Sequence, residues 1–178
     1  MRWLKKHNFL AIRPAKLLPL LLLLALPTAL QADCFTYWTN NGTITITSYC
    51  GPGGAVTIPD SIAGLPVTTI GVSAFQGRTT LTNLTIGTNV TSIALCAFRS
   101  CSNLQSVTFP DNVTNIGVSA FNSCSSLTNV VIGNSVSSIG AYAFLHCTGL
   151  AAFNVSASNP AFTSPSGVLF NVRQRQSK

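Results

Sequence analysis

Few side chains in this sequence can perform acid–base or nucleophilic chemistry. It contains no glutamate, and its only carboxylate side chains are Asp33, Asp60 and Asp111. Asp60 and Asp111 each follow a proline in a predicted turn, where aspartate is favoured because it bonds nearby backbone groups. His146 stands where equivalent stretches carry glycine or serine, so we expect it outside the core. Catalysis needs a nucleophile, an acid, a base or a metal held in one place, and these residues predict a non-catalytic protein.

Three of the six cysteines are evenly spaced. Cys101, Cys124 and Cys147 recur with a constant period of 23. Placed equivalently in stacked units, they would form a ladder of buried thiols, which behave as small hydrophobic side chains. The alternatives are a disulfide within the ladder and a zinc site of three thiolates, but the spacing lacks the close Cys-x-x-Cys pair typical of zinc sites. We predict core thiols, and neither a metal nor a cofactor.

Cys34 and Cys50 bracket a pattern typical of a β-hairpin. Alternating strand residues flank Asn41-Gly42, and an Asn-Gly pair favours the tight turn of a hairpin. In an exported protein a disulfide between the two cysteines is chemically permitted. The alternative is two unpaired thiols, because the expected hairpin register does not set the cysteines directly opposite each other.

The same period organises the rest of the sequence and determines the elements that position these side chains. Isoleucine, an alanine–phenylalanine pair, leucine and cysteine all recur at this interval. The first three series are Ile70, Ile93, Ile116 and Ile139; Phe75, Phe98, Phe121 and Phe144; and Leu81, Leu104, Leu127 and Leu150. One repeat cannot bury its own apolar edge, whereas stacked repeats share a continuous core, so stability comes from the interfaces between neighbours.

Each leucine of the series opens the pattern L-x-x-[apolar]-x-[apolar], the strand signature of a leucine-rich repeat. The last two apolar residues point inward and the residue between them points outward, because side chains alternate along an extended segment. The chain then turns at Gly87, Pro110 or Gly133 and runs through a second short extended piece. The predicted fold is a β-rich solenoid, a leucine-rich repeat stack of 23-residue coils with an N-terminal β-hairpin cap.

Residues 1–32 have the pattern of a secretory signal peptide. Five basic residues lie within residues 1–16, an apolar run follows at 17–26, and small residues lead to Ala32. The run is shorter than the about 20 residues of a transmembrane helix, so we expect export and no membrane span after cleavage. Five basic residues against three acidic ones then leave a net charge of +2. We therefore expect no nucleic-acid partner, which would need a basic patch on the folded surface.

The sequence divides into four predicted segments. Residues 1–32 form the signal peptide, 33–55 the hairpin cap, 56–155 the solenoid, and 156–178 a partial terminal unit with a disordered tail. Residues 61–66 lengthen the first coil, and we expect them to bulge as a loop at one edge.

The outward residues of the predicted strands form one face, the usual contact surface of a solenoid. They are rich in hydroxyls and amides and carry no charge, which suits hydrogen bonding to a glycan or a polar protein surface. This ligand-facing ladder comprises Thr57, Thr85, Thr108, Val131 and Asn154 in one file and Asn83, Ser106, Asn129 and Ala152 in a second. The alternative is a solubilising face with no particular ligand, since threonine also favours strands.

The strand signature and the repeated motif Ala-Phe-x-x-Cys together resemble the BspA-like class of bacterial leucine-rich repeats. The block from Leu104 to Cys124 carries both, and the likeness covers about residues 35–171. The resemblance implies a secreted or cell-surface scaffold that binds a protein or glycan ligand of unknown identity, often in adhesion. The alternative is a structural spacer or truncated fragment of a larger exported repeat protein.

Overall fold

The chain winds into a solenoid with a β-sheet on two of its sides. The computed structural model describes residues 34–172, so the predicted signal peptide (residues 1–32) and residues 173–178 of the predicted tail lie outside the described residues. Each regular coil contributes one strand to each sheet, and equivalent residues of neighbouring coils pair at intervals of 23. The predicted leucine-rich repeat solenoid is confirmed.

Sheet 1 is parallel throughout and takes one strand from each of five coils. Its strands are β3 (Gly54–Thr57), β6 (Leu81–Thr85), β8 (Ser106–Thr108), β10 (Asn129–Ile132) and β12 (Ala152–Val155). They lie side by side in the order β12-β10-β8-β6-β3. Because the coils stack in register, the inward Val107 pairs with Val130, which pairs in turn with Phe153.

Sheet 2 combines the N-terminal hairpin with the second extended piece of each coil. Its strands are β1 (Phe35–Asn40), β2 (Thr43–Tyr49), β5 (Leu65–Ile70), β7 (Ser92–Ile93), β9 (Asn115–Ile116) and β11 (Ser138–Ile139). The order is β1-β2-β5-β7-β9-β11. Strands β1 and β2 are antiparallel, whereas β2 pairs with β5 in parallel. The hairpin therefore extends the sheet and covers the first coil.

Residues 61–66 form a second, smaller hairpin, so the expectation of a bulging loop is wrong. Strand β4 (Ser61–Ile62) pairs antiparallel with the start of β5. Ala63 and Gly64 form the turn with φ of 51° and 78°, the left-handed pair that a two-residue hairpin requires. Ile62 is buried against the core, and its burial is the physical reason why the insert is ordered.

Backbone hydrogen bonds also join the coils on the third side, where the chain turns past each Ala-Phe pair. The N–H groups of Phe75 and Phe98 donate to the carbonyls of Ala97 and Ala120 in the next coil, at 2.7 and 2.8 Å. This regular pairing continues along the stack, so consecutive coils are held at one strand spacing on three sides.

A stack of aromatic rings fills the core beside this third side. The rings of Phe75, Phe98, Phe121 and Phe144 follow one another with centroids 4.8, 5.1 and 5.5 Å apart and nearly parallel planes. Tyr49 of the hairpin extends the stack, with its centroid 5.2 Å from that of Phe75. These distances match the spacing of neighbouring strands, so the stacking follows directly from the register of the coils.

Residues 156–172 cover part of the C-terminal end of the stack. Strands β13 (Phe162–Thr163) and β14 (Phe170–Asn171) pair antiparallel on either side of a 3₁₀ turn, Pro165–Gly167. The buried Asn159 side chain donates to the carbonyls of Gly133 and Val136 at 2.7 and 3.0 Å. Asn159 therefore satisfies carbonyls of the preceding coil that have no regular strand beside them.

Replacing Phe121 with alanine should strongly destabilise the protein. Phe121 is fully buried between two stacked rings, and removal of a buried phenylalanine costs about 3–5 kcal/mol. Phe170→Ala is the matched control, because that ring is 39% exposed. The free energy of unfolding in urea measures both effects, and equal losses in the two variants would contradict the ladder as the main source of stability.

Candidate functional site

The first file of the predicted ligand-facing ladder lies on the outward face of sheet 1. Thr57 pairs with Thr85, and Val131 pairs with Thr108 on one side and Asn154 on the other. Val131 is half-buried, whereas the other four side chains are exposed. Five coils thus present one continuous, uncharged row to solvent. Ligand binding by these residues stays a prediction.

The second file runs parallel to the first, two residues earlier in each strand. Asn83 pairs with Ser106, which pairs with Asn129 on the next strand. The amide of Asn154 donates to Oδ1 of Asn129 at 2.8 Å, so the two files are linked at the C-terminal end. Hydroxyl and carboxamide groups both donate and accept hydrogen bonds, which lets the face match a polar ligand of either kind.

Two shallow hollows lie between coils at the carboxyl-terminal edge of sheet 1. Their volumes are about 340 and 400 Å³. Each combines side chains of the ladder with the aspartate of the following turn. The polar lining includes Thr57, Thr85 and Asp60 in the first hollow, and Thr108, Asn154 and Asp111 in the second. Both carboxylates therefore lie at the edge of the candidate binding face.

Asp60 and Asp111 tie each turn to the coil that follows it. One carboxylate oxygen of Asp60 accepts hydrogen bonds from the N–H and hydroxyl of Thr88, at 2.5 and 3.0 Å. The equivalent carboxylate oxygen of Asp111 accepts a hydrogen bond from the N–H of Asn134 at 3.2 Å. Because Thr88 occupies the coil between them, the two carboxylates belong to separate coils and are not arranged as an acid–base pair.

Cys101, Cys124 and Cys147 lie in the core, at most 9% exposed. Each thiol donates to a phenylalanine carbonyl of the preceding coil. The acceptors are Phe75, Phe98 and Phe121, at 3.1, 3.2 and 3.2 Å. The spacing suggested burial but did not reveal these acceptors, because they come from another coil.

Burial also determines the protonation of these thiols. Loss of hydration raises the pKa of Cys101 to about 12, and it raises the pKa values of Cys124 and Cys147 as well. A nucleophilic or metal-bound cysteine is a thiolate, so the ladder is unsuited to either role near neutral pH. Among residues 34–172, no three His, Cys, Asp or Glu side chains converge on a common point where a metal ion could bind.

His146 lies on the surface, in the turn on the third side of its coil. Its φ is 60°, as at Ser100 and Ser123, the equivalent positions of earlier coils, where φ is 62°. The position is therefore defined by left-handed backbone geometry rather than by contacts of the imidazole ring.

In the first coil, Arg78 takes the place of the ladder cysteine. Its guanidinium donates to the carbonyl of Tyr49 and lies 5.8 Å from the centroid of the Tyr49 ring. A cation over an aromatic face is stabilised by the ring quadrupole. One period before Cys101 the sequence has Arg78 in place of cysteine, but the tyrosine partner of Arg78 is out of phase with the repeat and could not be inferred from it.

The hairpin register brings Cys34 and Cys50 together, contrary to expectation. A β-bulge between Thr36 and Tyr37 shifts the pairing by one residue, so that Phe35 lies opposite Tyr49. The next pair outward is Cys34 and Cys50, and the N–H of Cys50 donates to the Cys34 carbonyl at 2.7 Å. The alternating sequence pattern does not reveal the bulge. A regular register would not set these cysteines opposite each other, and that expectation was wrong for this reason.

The comparisons with known proteins agree on one repeat family. The family model described as "BspA type Leucine rich repeat region" matches residues 28–166 in six copies. The search of curated proteins finds no match. Among residues 34–172, no helix has the length and apolar character required to cross a membrane.

Three solved structures are similar to this chain, and all are described as leucine-rich repeat proteins. The protein from T. pallidum is 33% identical, with 68% of this chain and 69% of that one covered and a TM-score of 0.57. One from Bacteroides capillosus is 30% identical, with 70% and 95% covered and a TM-score of 0.62. One from Bacteroides ovatus is 27% identical, with 71% and 40% covered and a TM-score of 0.54. The chain thus matches well under half of the Bacteroides ovatus protein.

Mild oxidation should link Cys34 to Cys50. With oxidised glutathione as the oxidant, the two thiols give up two protons and two electrons and form one disulfide, and the oxidised glutathione takes up both and is released as two molecules of reduced glutathione. Closing a loop of this length should add about 3 kcal/mol to the free energy of unfolding. Peptide mapping by mass spectrometry identifies the pair, and urea unfolding measures the gain.

The control for this cross-link is Cys96→Ser, since Cys96 belongs to the second coil and lies outside the hairpin. The Cys34→Ser and Cys50→Ser variants should lose the linked peptide, and Cys96→Ser should keep it. Full alkylation of both Cys34 and Cys50 after oxidation would show that the prediction is wrong.

Proposed function

Because the chain belongs to the BspA-type leucine-rich repeat family, we propose that it is an exported, non-catalytic scaffold that binds a protein or glycan ligand in an adhesive role. The outward face of sheet 1 carries the proposal. Its five strands present one row in register, in which Val131 is the only side chain without a hydroxyl or amide group. A regular, rigid face of this kind is the usual contact surface of solenoid proteins.

The chemistry of this face favours a ligand that is recognised by hydrogen bonds. Neither file of the ladder contains a charged residue, and charge enters only through Asp60 and Asp111 at the edge of the hollows. Recognition therefore depends on direct contact, with little long-range electrostatic steering. The carboxylates suit ligand N–H or O–H donors that reach the edge of the sheet.

A non-catalytic role is supported by the state of the reactive side chains. The ladder thiols are buried and remain protonated, the two carboxylates bond backbone N–H groups in separate coils, and His146 is exposed. These groups do not meet in one cleft, as an active site requires. Export is supported by the signal-peptide pattern of residues 1–32.

Binding is tested by presenting the purified chain to extracellular matrix proteins and to a glycan array, followed by titration of each positive ligand. We expect saturable binding to at least one ligand. The double variant Thr85→Lys with Thr108→Lys places two bulky cations at the centre of the face and should weaken that binding at least about tenfold.

The matched control is Gln76→Lys, which adds a cation at an exposed position on the third side of the first coil. It should leave the affinity unchanged. The proposal would be contradicted if no member of either panel bound saturably, or if the control and the double variant lost the same affinity. Thermal melting of all variants shows whether the fold is retained.

A second candidate function, as a structural unit of a larger exported repeat protein, is favoured by the third side of the fourth coil. In the preceding coil, the N–H groups of Ser119 and Phe121 donate to carbonyls of the next coil at 3.0 and 2.8 Å. Within residues 34–172, the equivalent N–H groups of Tyr142, Phe144 and His146 have no backbone acceptor. Such an edge suits pairing with another coil, and a purely structural unit would bind no member of either panel.

A further inference from the structure

A groove headed by an exposed tryptophan lies on the outward face of sheet 2. Trp38 of the edge strand β1 is 54% exposed, although an indole ring is costly to leave in water. The groove beside it has a volume of about 360 Å³, and its lining includes Thr45, Thr69 and Val72. It belongs to a different sheet from the ligand-facing ladder, so it does not depend on the function proposed for that ladder.

One wall of the groove is a row of polar side chains that crosses sheet 2. Trp38 pairs with Thr45, and Thr45 pairs with Thr69. The same row continues through equivalent outward positions of the later coils. These are Ser92, Asn115 and Ser138. The threonine, serine and asparagine members each carry a group that can donate and accept hydrogen bonds, so the wall is a regular set of polar contacts leading away from the indole ring.

The other wall of the groove includes Val72, the first member of a file of exposed apolar side chains that continues along the stack. Val72, Leu95 and Val118 recur at intervals of 23 and are 60%, 46% and 43% exposed. Gly71 lies between the two walls at the first coil, where a Cβ would come within 2.5 Å of the Ile46 carbonyl. Large apolar side chains exposed in a continuous file mark an interaction surface rather than a solubilising one.

The groove is also uncharged. Its lining consists of tryptophan, threonine, valine, glycine and alanine, with no ionisable side chain. An anionic or cationic ligand would lose hydration there without gaining a partner of opposite charge. The suitable ligand is therefore neutral and has both an apolar surface and a set of hydroxyl groups.

We propose that this groove binds a neutral, linear glycan chain, with a pyranose ring stacked on Trp38. The C–H-rich face of a pyranose carries slight positive charge and packs against the negative face of an indole ring. Its hydroxyl groups lie around the rim of the ring, where they can exchange hydrogen bonds with Thr45 and Thr69. Successive sugars would follow the two walls along the stack.

A protein segment fits these observations less well. An apolar peptide face would cover Val72 and Leu95, but it would bury the neighbouring hydroxyl row without regular partners, and buried polar groups that lack hydrogen bonds are costly. A ligand contacts both the hydroxyl row and the indole face only if its surface carries C–H and O–H groups in alternation. A sugar chain has this pattern.

The test is titration of the purified chain with cellohexaose, chitohexaose and maltohexaose, followed by tryptophan fluorescence and calorimetry. Trp38 is the only tryptophan in residues 33–178, so its emission reports on this groove. At least one neutral hexasaccharide should bind saturably and change the emission. A matched anionic oligogalacturonate should bind at least about tenfold more weakly.

Variants separate this site from the rest of the surface. Trp38→Ala should weaken sugar binding at least about tenfold, Trp38→Phe should retain part of it, and Thr69→Val should weaken it by removing one hydroxyl. Tyr37→Ala is the matched control, because Tyr37 lies opposite the inward Ile46 and so on the other face of the same edge strand. It should leave the affinity unchanged.

Three results would overturn the proposal. The first is failure of all three neutral sugars to bind at millimolar concentration, and the second is an equal loss of sugar affinity in Trp38→Ala and Tyr37→Ala. The third is an emission change that depends only on the protein concentration, which would indicate that a second copy of the chain occupies the groove. The double variant Thr85→Lys with Thr108→Lys should bind the sugar with unchanged affinity. Loss of sugar binding at the groove and loss of ligand binding at sheet 1 can therefore be distinguished.

Discussion

The distance between adjacent parallel strands, about 4.8 Å, is the constraint on which this structure depends. Because the coils repeat with a constant period and pair in register on both sheets, each side chain meets its equivalent one strand away. Phenylalanine rings stack at nearly this distance, and each ladder thiol reaches a carbonyl of the preceding coil. The same register aligns the outward side chains, so the core and both candidate binding surfaces have one physical origin.

The ends of the stack need other solutions because they lack a neighbouring coil. At the N-terminal end, the hairpin supplies Tyr49 to the aromatic stack, and Arg78 bonds the Tyr49 carbonyl. At the C-terminal end, the Asn159 side chain bonds carbonyls of the preceding coil while its own oxygen accepts the N–H groups of Ala161 and Phe162, both at 2.8 Å. Both caps combine buried apolar side chains with hydrogen bonds from one polar side chain, whereas the coils between them are held by repetition.

This difference explains what the sequence could predict. A period of 23 identifies the inward residues of every regular coil, because identical positions must share one environment, and it therefore predicted the solenoid. It could not predict contacts made by residues outside the period. Tyr49 is out of phase with the phenylalanine series, the bulge at Thr36 and Tyr37 places Cys34 opposite Cys50, and the insert at Ser61 folds as a hairpin because Ile62 can be buried.

The candidate surfaces show the same limit. Alternation along a strand identifies the outward threonines of sheet 1, but the hollows beside them need the following turn of one coil and the strand of the next. The groove at Trp38 combines an edge strand with two later coils, and only the assembled register places its hydroxyl row beside its apolar file. Residue type and spacing thus predict which side chains face outward, and tertiary structure determines which of them act together.

Cross-linking between engineered cysteines tests the coil register most directly. Thr85→Cys with Thr108→Cys places two thiols on adjacent strands at one strand spacing, within the Cα separation of about 4.4–6.8 Å that a disulfide spans. Thr85→Cys with Val131→Cys places them two strands apart, at roughly 10 Å. Oxidation followed by peptide mapping should link the first pair and leave the second unlinked. Efficient linkage of the second pair, or failure of the first in a folded protein, would contradict the stacked-coil account.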